Sequence, residues 1–327
     1  MRQPYWATLT WLMALIVLAV TLAGCSTAAE KTVDNPAQAG IKVYASVYPV
    51  YDFAKRIGGD RVQLVCMVPP GADPHNWEPS PRLLARLQEA DLFIYNGAGL
   101  EPWVDKLLGS LQGTRLKTVK ATRGISLLAA EKEHEEPGEP GETTHHHEHG
   151  AYDPHVWLDP VLAKDMARNI AKALGEVDPQ NREYYTANLV KFNQQLDELD
   201  TCYRQALARC PRREIVVTHR AFAYLCRRYN LQQVSIMGIS PEAEPTPARL
   251  AEITRFCREH EVQYLFAEKL LSPRVAQIIA REVGARVLVL DPVGGLTPEQ
   301  VSQGGSDYIS IMYSNLENLK QALGYQP

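Results

Sequence analysis

The chain has 327 residues, 45% of them hydrophobic and 22% charged, with a formal net charge of -4. That length accommodates two domains or one large one. No stretch gathers basic and aromatic residues in the way a nucleic-acid surface does.

Residues 1–25 read as an address rather than as part of the fold. Arg2 supplies a short basic region, residues 11–20 are an apolar run too short to span a bilayer comfortably, and Leu22-Ala23-Gly24-Cys25 is a small-residue cleavage site ending in cysteine. The polar, small residues 26–40 lack any helical or alternating apolar pattern and read as a flexible tether. The body of the protein is therefore expected outside the cytoplasm.

From residue 41 strand-like and helix-like segments alternate, which predicts parallel α/β architecture. Strands are expected at 41–47, 62–68 and 92–95, and helices at 51–57, 81–90 and 103–108. The segment Asp73-Pro74-His75-Asn76-Trp77 follows the second strand, at the strand end where open α/β sheets place ligands. Gly97-Ala98-Gly99 lacks the rest of a dinucleotide-binding loop and reads as a turn.

About 80 residues later the pattern recurs as Asp153-Pro154-His155-Val156-Trp157. In each copy the Asp-Pro presets the backbone ahead of the histidine, and a Trp backs it. An imidazole restrained in this way loses little further freedom on binding a metal. Between the copies, residues 131–150 (EKEHEEPGEPGETTHHHEHG) contain almost nothing apolar and are expected to be disordered. Their His134, His145, His146, His147 and His149 suit weak, fast-exchanging metal capture, and His149 lies near enough to His155 to stand in for it.

Residues 161–174 are expected to be helical, and Asp178-Pro179 opens a longer helix to about Ala208, with apolar residues at helical spacing and no internal Pro or Gly. Such a helix between two α/β halves can act as a rigid connector while also packing its apolar stripe. Strands then follow at 214–218, 232–236, 262–267 and 286–290, with helices at 221–229, 247–260, 273–283 and 307–323. Two of these strand ends deliver His219 and Asp291. With His75 and His155 they make three nitrogens and one carboxylate, a set that suits tetrahedral Zn²⁺ in the cleft between the halves. A shell closed by four protein ligands leaves no position for a water nucleophile, so the chain is expected to hold metal and not to be an enzyme.

Beyond the Cys25 of the cleavage site, Cys66, Cys202, Cys210, Cys226 and Cys257 remain. They have no Cys-x-x-Cys spacing and read as buried residues, or for one pair as a disulfide that sequence does not assign.

The cleavage site, Gly71-Ala72-Asp73-Pro74-His75 with Glu78-Pro79-Ser80-Pro81, the His155 segment, Val217-Thr218-His219, Phe266-Ala267-Glu268-Lys269 and Leu290-Asp291-Pro292 together resemble the substrate-binding lipoproteins of ABC transporters for zinc and manganese, the cluster A-I metal-binding proteins. The resemblance covers essentially the whole mature chain. It implies a lipoprotein signal with a lipidated Cys25, an N-terminal α/β domain (41–178), a linker helix (179–211) and a C-terminal α/β domain (212–327), with metal between the domains. It further implies a monomer that delivers its cargo to a membrane permease driven by a cytoplasmic ATPase.

Carried over by position, His75, His155 and His219 match the metal-binding histidines. Asp291 matches an aspartate that coordinates in some members and stands back in others, and Glu268 matches a recurrent acidic position that supports a ligand. Manganese-type members carry a carboxylate where this chain has His219, and the His-rich loop is similar to that of zinc-type members. Both features point to Zn²⁺ as cargo, with Mn²⁺ or Fe²⁺ as the alternative. A zinc hydrolase would need an open metal position and a base, and no His-Glu-x-x-His run is present. A surface adhesin is the remaining class, and no sequence feature argues for it.

Overall fold

A computed structural model describes residues 40–111, 113–130, 151–241, 244–304 and 306–327. The signal segment with Cys25, nearly all of the tether and the five loop histidines lie outside the described residues.

Gly40 to Pro327 form one compact unit holding two parallel four-stranded sheets of the same order. The first contains β1 (Ile41–Ala45), β2 (Val62–Cys66), β3 (Leu92–Tyr95) and β4 (Lys117–Lys120), arranged β2-β1-β3-β4. The second contains β5 (Glu214–Val217), β6 (Gln232–Ser235), β7 (Tyr264–Ala267) and β8 (Arg286–Val289), arranged β6-β5-β7-β8. Val43 pairs with both Leu64 and Leu92, and Val217 with both Ser235 and Phe266. The strand ends that carry the candidate ligands therefore lie at the C-terminal edges of the sheets.

The first half contributes helices α1 (Tyr48–Gly58), α2 (Pro81–Leu87), α3 (Pro102–Ser110) and α4 (Pro160–Val177), and α5 (Arg182–Ala208) follows. The second half contributes α6 (Ala223–Tyr229), α7 (Pro247–Glu259), α8 (Arg274–Val283), α9 (Pro298–Gln303) and α10 (Tyr308–Leu323). One device recurs at helix starts, an oxygen-bearing cap followed by proline. Ser80-Pro81, Asp159-Pro160, Thr246-Pro247 and Thr297-Pro298 each accept a bond from a first-turn amide while the proline supplies a preset φ.

Side chains alternate across each sheet and divide the core. Val43 and Ala45 face one apolar cluster while Tyr44 faces another, and Val217 and Val216 part in the same way. The largest cluster runs continuously through residues of both sheets and through α4, α5 and α10. Tyr185, Phe192, Leu196, Leu199, Tyr203 and Leu207 form the buried stripe of α5 at helical spacing. The long helix is thus packed along its length as well as joining the halves. At its far end the Tyr203 hydroxyl donates to the Met312 carbonyl on α10.

Most expected elements are present with ends moved by one to three residues, and α4 gains about a turn. The long helix begins at Arg182, because Pro179–Asn181 forms a separate 3-10 turn. Among the strands and α-helices of the described residues, two were not foreseen. Strand β4 is an edge strand with two lysines in four residues, which hides its β character. Helix α9 has only six residues, although its Thr297/Gln300 capping box is readable in sequence.

All five described cysteines are free thiols, so the open disulfide alternative does not hold among them. Cys210, Cys226 and Cys257 are buried as expected, and Cys66 is partly buried. Cys202 is exposed, contrary to the expectation, because it lies off the buried stripe of α5.

Candidate metal centre

Each Asp-Pro-His segment is a turn closed by its own aspartate. The Asp73 Oδ1 accepts the His75 amide at 3.0 Å, and the Asp153 Oδ1 accepts the His155 amide at 2.9 Å. Asp153 also lies 2.9 Å from the His155 Nδ1. A carboxylate beside Nδ1 holds the proton there and turns the Nε2 lone pair outward. Trp157 is fully buried behind the turn, with its indole N–H donating to the Pro292 carbonyl at 2.7 Å. The ring thus ties the His155 segment to the loop after β8.

His219 follows β5 directly, separated from it only by Thr218. Its Nδ1 lies 2.5 Å from the Glu268 Oε1, which also accepts the Thr218 hydroxyl. Burial of the imidazole acts to lower its pKa, but the charge and hydrogen bond of Glu268 outweigh this and raise it. As at His155, Nε2 is left to face the cleft.

The three Nε2 atoms converge. His75 and His155 stand 3.2 Å apart and His155 and His219 3.5 Å apart. Two zinc–nitrogen bonds of about 2.05 Å at the tetrahedral angle hold their nitrogens about 3.3 Å apart. His155 and His219 are buried and His75 is partly exposed, so one side of the cluster remains open to entry. Asp73, Glu268 and Asp291 line the same cleft, and this acidic lining favours a cation.

Among the described residues, the metal-capable side chains whose donor atoms all lie within 4.8 Å of one another are these three histidines. Asp291 stands in the cleft but outside that group. Its Oδ1 accepts the Val293 amide at 2.8 Å, and its buried Oδ2 has no hydrogen-bond partner among the described residues. The Lys269 ammonium is 3.8 Å from that oxygen, beyond hydrogen-bond length. Burial raises the pKa of the Asp291 carboxyl, against the lowering effects of the Val293 amide and Lys269.

Sequence reading placed His75, His155, His219, Asp291 and Glu268 at one cleft, and the structure brings all five to it. It did not foresee the roles of Asp73 and Asp153, although an aspartate two residues before a histidine across a proline is a readable signal for this turn. Nothing in sequence pointed to Lys269 beside Asp291.

A family model described as zinc-uptake complex component A, periplasmic, matches residues 43–322. The high-affinity zinc uptake system protein ZnuA of Bacillus subtilis is 36% identical over 319 residues, covering 97% of this chain and 98% of that protein. The zinc-binding lipoprotein AdcA of Streptococcus pneumoniae is 36% identical over 310 residues, which are 95% of this chain; the chain spans 60% of that relative's length. The crystal structure of the Zn(II)-bound ZnuA-like domain of the same AdcA superposes with a TM-score of 0.74 at 36% identity, covering 87% of this chain and 99% of the domain. A match across nearly the whole body of the protein, together with the converging histidines, shows that the chain belongs to the zinc-uptake component A (ZnuA) family.

Proposed function

We propose that this protein captures Zn²⁺ outside the cytoplasm and hands it to a membrane permease driven by a cytoplasmic ATPase, tethered meanwhile by lipid on Cys25. The convergence of the three Nε2 atoms at spacings that suit zinc carries this reading. His75, His155 and His219 are the ligands, Asp291 is the fourth, and Glu268 orients His219. Three nitrogens favour Zn²⁺ over Mn²⁺, which prefers oxygen. The segment 131–150 collects metal weakly for transfer to the cleft. The division into domains at 41–178 and 212–327 with a helix between them belongs to the same proposal, supported by one four-stranded sheet in each span. The protein acts as a monomer and as a carrier, without catalysis.

The test is competitive titration of Zn²⁺ and Mn²⁺ against a chelator, in the parent, in His219→Ala and in a variant lacking 131–150. The expected result is one tight zinc site lost in His219→Ala, with weaker sites lost on the deletion. Because ligand imidazoles must be neutral, zinc affinity should also fall between pH 7.5 and 5.5. Preference for Mn²⁺, or indifference to His219→Ala, would overturn the assignment.

A further inference from the structure

The turn Gly97-Ala98-Gly99 lies just beyond β3 and has no part in the ligand set, yet three costly features meet around it. Its residues have φ of 78°, 60° and 86° in succession, and Ala98 adopts this conformation without being glycine. Glu101 is a buried carboxylate held by hydrogen bonds, with no ion pair among the described residues. It accepts the Ser46 hydroxyl at 2.5 Å, the Asn96 amide at 2.7 Å and the Gly97 amide at 2.9 Å. Asn96 is fully buried, and its Oδ1 has no partner among the described residues. Strain and buried polar groups persist together where the surroundings over-determine them, and they cluster at functional sites.

The side-chain amide of Asn96, whose backbone N–H is the one held by Glu101, shows what this arrangement holds. Its Nδ2 donates to the Gly97 carbonyl at 2.9 Å and to the Pro154 carbonyl at 3.0 Å. The Pro154 carbonyl and the His155 amide belong to one planar peptide unit, and Asp153 holds the amide end of that unit. We propose that Asn96, held in place by Glu101, is a positioning residue that fixes the peptide plane before His155 and so aims the His155 imidazole at the other two. The inference rests on His155 being a ligand. It gives the buried Glu101 a purpose that packing alone does not, since an apolar residue would fill the same space without a carboxylate to desolvate.

The experiment measures Zn²⁺ affinity by chelator competition for the full chain as parent, Asn96→Ala, His155→Ala and the double variant. Co²⁺ absorption spectra report coordination geometry in parallel. Asn96→Ala is expected to bind Zn²⁺ about 10- to 100-fold more weakly, as for other residues that orient a ligand, and to alter the Co²⁺ spectrum. In the His155→Ala background the same change should cost less than about twofold, because residues acting through one another are not additive. Should Asn96→Ala fail to fold, Glu101→Gln keeps the side-chain shape and enters the same cycle with the same expectation. Unchanged affinity in Asn96→Ala, or an equal loss in both backgrounds, overturns the positioning role. Parental affinity in His155→Ala would instead sink the ligand assignment on which it depends.

Discussion

The Nδ1 of His219 lies 2.5 Å from the Glu268 Oε1, although the two residues stand 49 positions apart in sequence. The carboxylate sets the tautomer of the ring and withdraws one of its two nitrogens from metal binding. Glu268→Gln keeps the size and one acceptor but removes the charge. It should weaken Zn²⁺ binding by about 10-fold or more, in the range found for residues behind metal-bound histidines. Chelator competition at fixed pH measures this, and equal affinities would show that Glu268 only packs.

Asp291 has one oxygen committed to Val293 and one buried without a hydrogen-bond partner among the described residues. A cation between the histidines would give that second oxygen a partner besides the Lys269 ammonium 3.8 Å away. Asp291→Ala is therefore expected to lower Zn²⁺ affinity by about tenfold, matching the ~1.5 kcal/mol of a weak charged contact. If titration finds no loss, three histidines and solvent complete the shell.

Asp159 caps α4 and is almost wholly buried, while Arg228 of α6 reaches its carboxylate through Nε at 2.8 and 2.9 Å. Removing the guanidinium leaves a buried charge with only its helix-cap bonds. Arg228→Ala should cost about 2–3 kcal/mol, below the 3–5 kcal/mol of a fully enclosed pair because Arg228 is partly exposed. Denaturant unfolding of the metal-free protein checks the figure, and a change under about 0.5 kcal/mol would refute it.

Asp307 caps α10 through the Ser310 amide and pairs with Arg56 of α1 at 2.9 Å. Partial burial acts to raise its pKa, but the Ser310 and Arg56 contacts prevail and hold it below the usual carboxylate value. A carboxylate with a depressed folded-state pKa contributes stability above its unfolded value, near 3.9, and loses that contribution as pH falls through the folded one. Asp307→Ala should thus destabilise by about 1 kcal/mol at pH 7 and by visibly less at pH 3. A pH-independent difference in unfolding free energy would contradict the assignment.

Local pattern determined a large share of this protein. Alternating apolar runs and two Asp-Pro-His turns were legible because each depends on residues within a few positions of one another. The same motifs were enough to show the family resemblance that the full-length comparison bears out. Strand β4 was missed because an edge strand needs little apolar surface and tolerates lysines on its open side.

What only the tertiary structure decided is which groups face each other across long separations. The partners of the histidine rings show the difference. Asp153 sits two residues from His155 and its turn could be read from sequence, whereas Glu268 behind His219 and Lys269 beside Asp291 are set by the order of strands in the second sheet. The Pro154 carbonyl likewise meets Asn96 from 58 residues away, where the loop before His155 packs onto the end of β3. Periodicity records which face of an element is buried; which neighbour covers that face depends on packing the whole chain at once, and no short window of sequence carries that information.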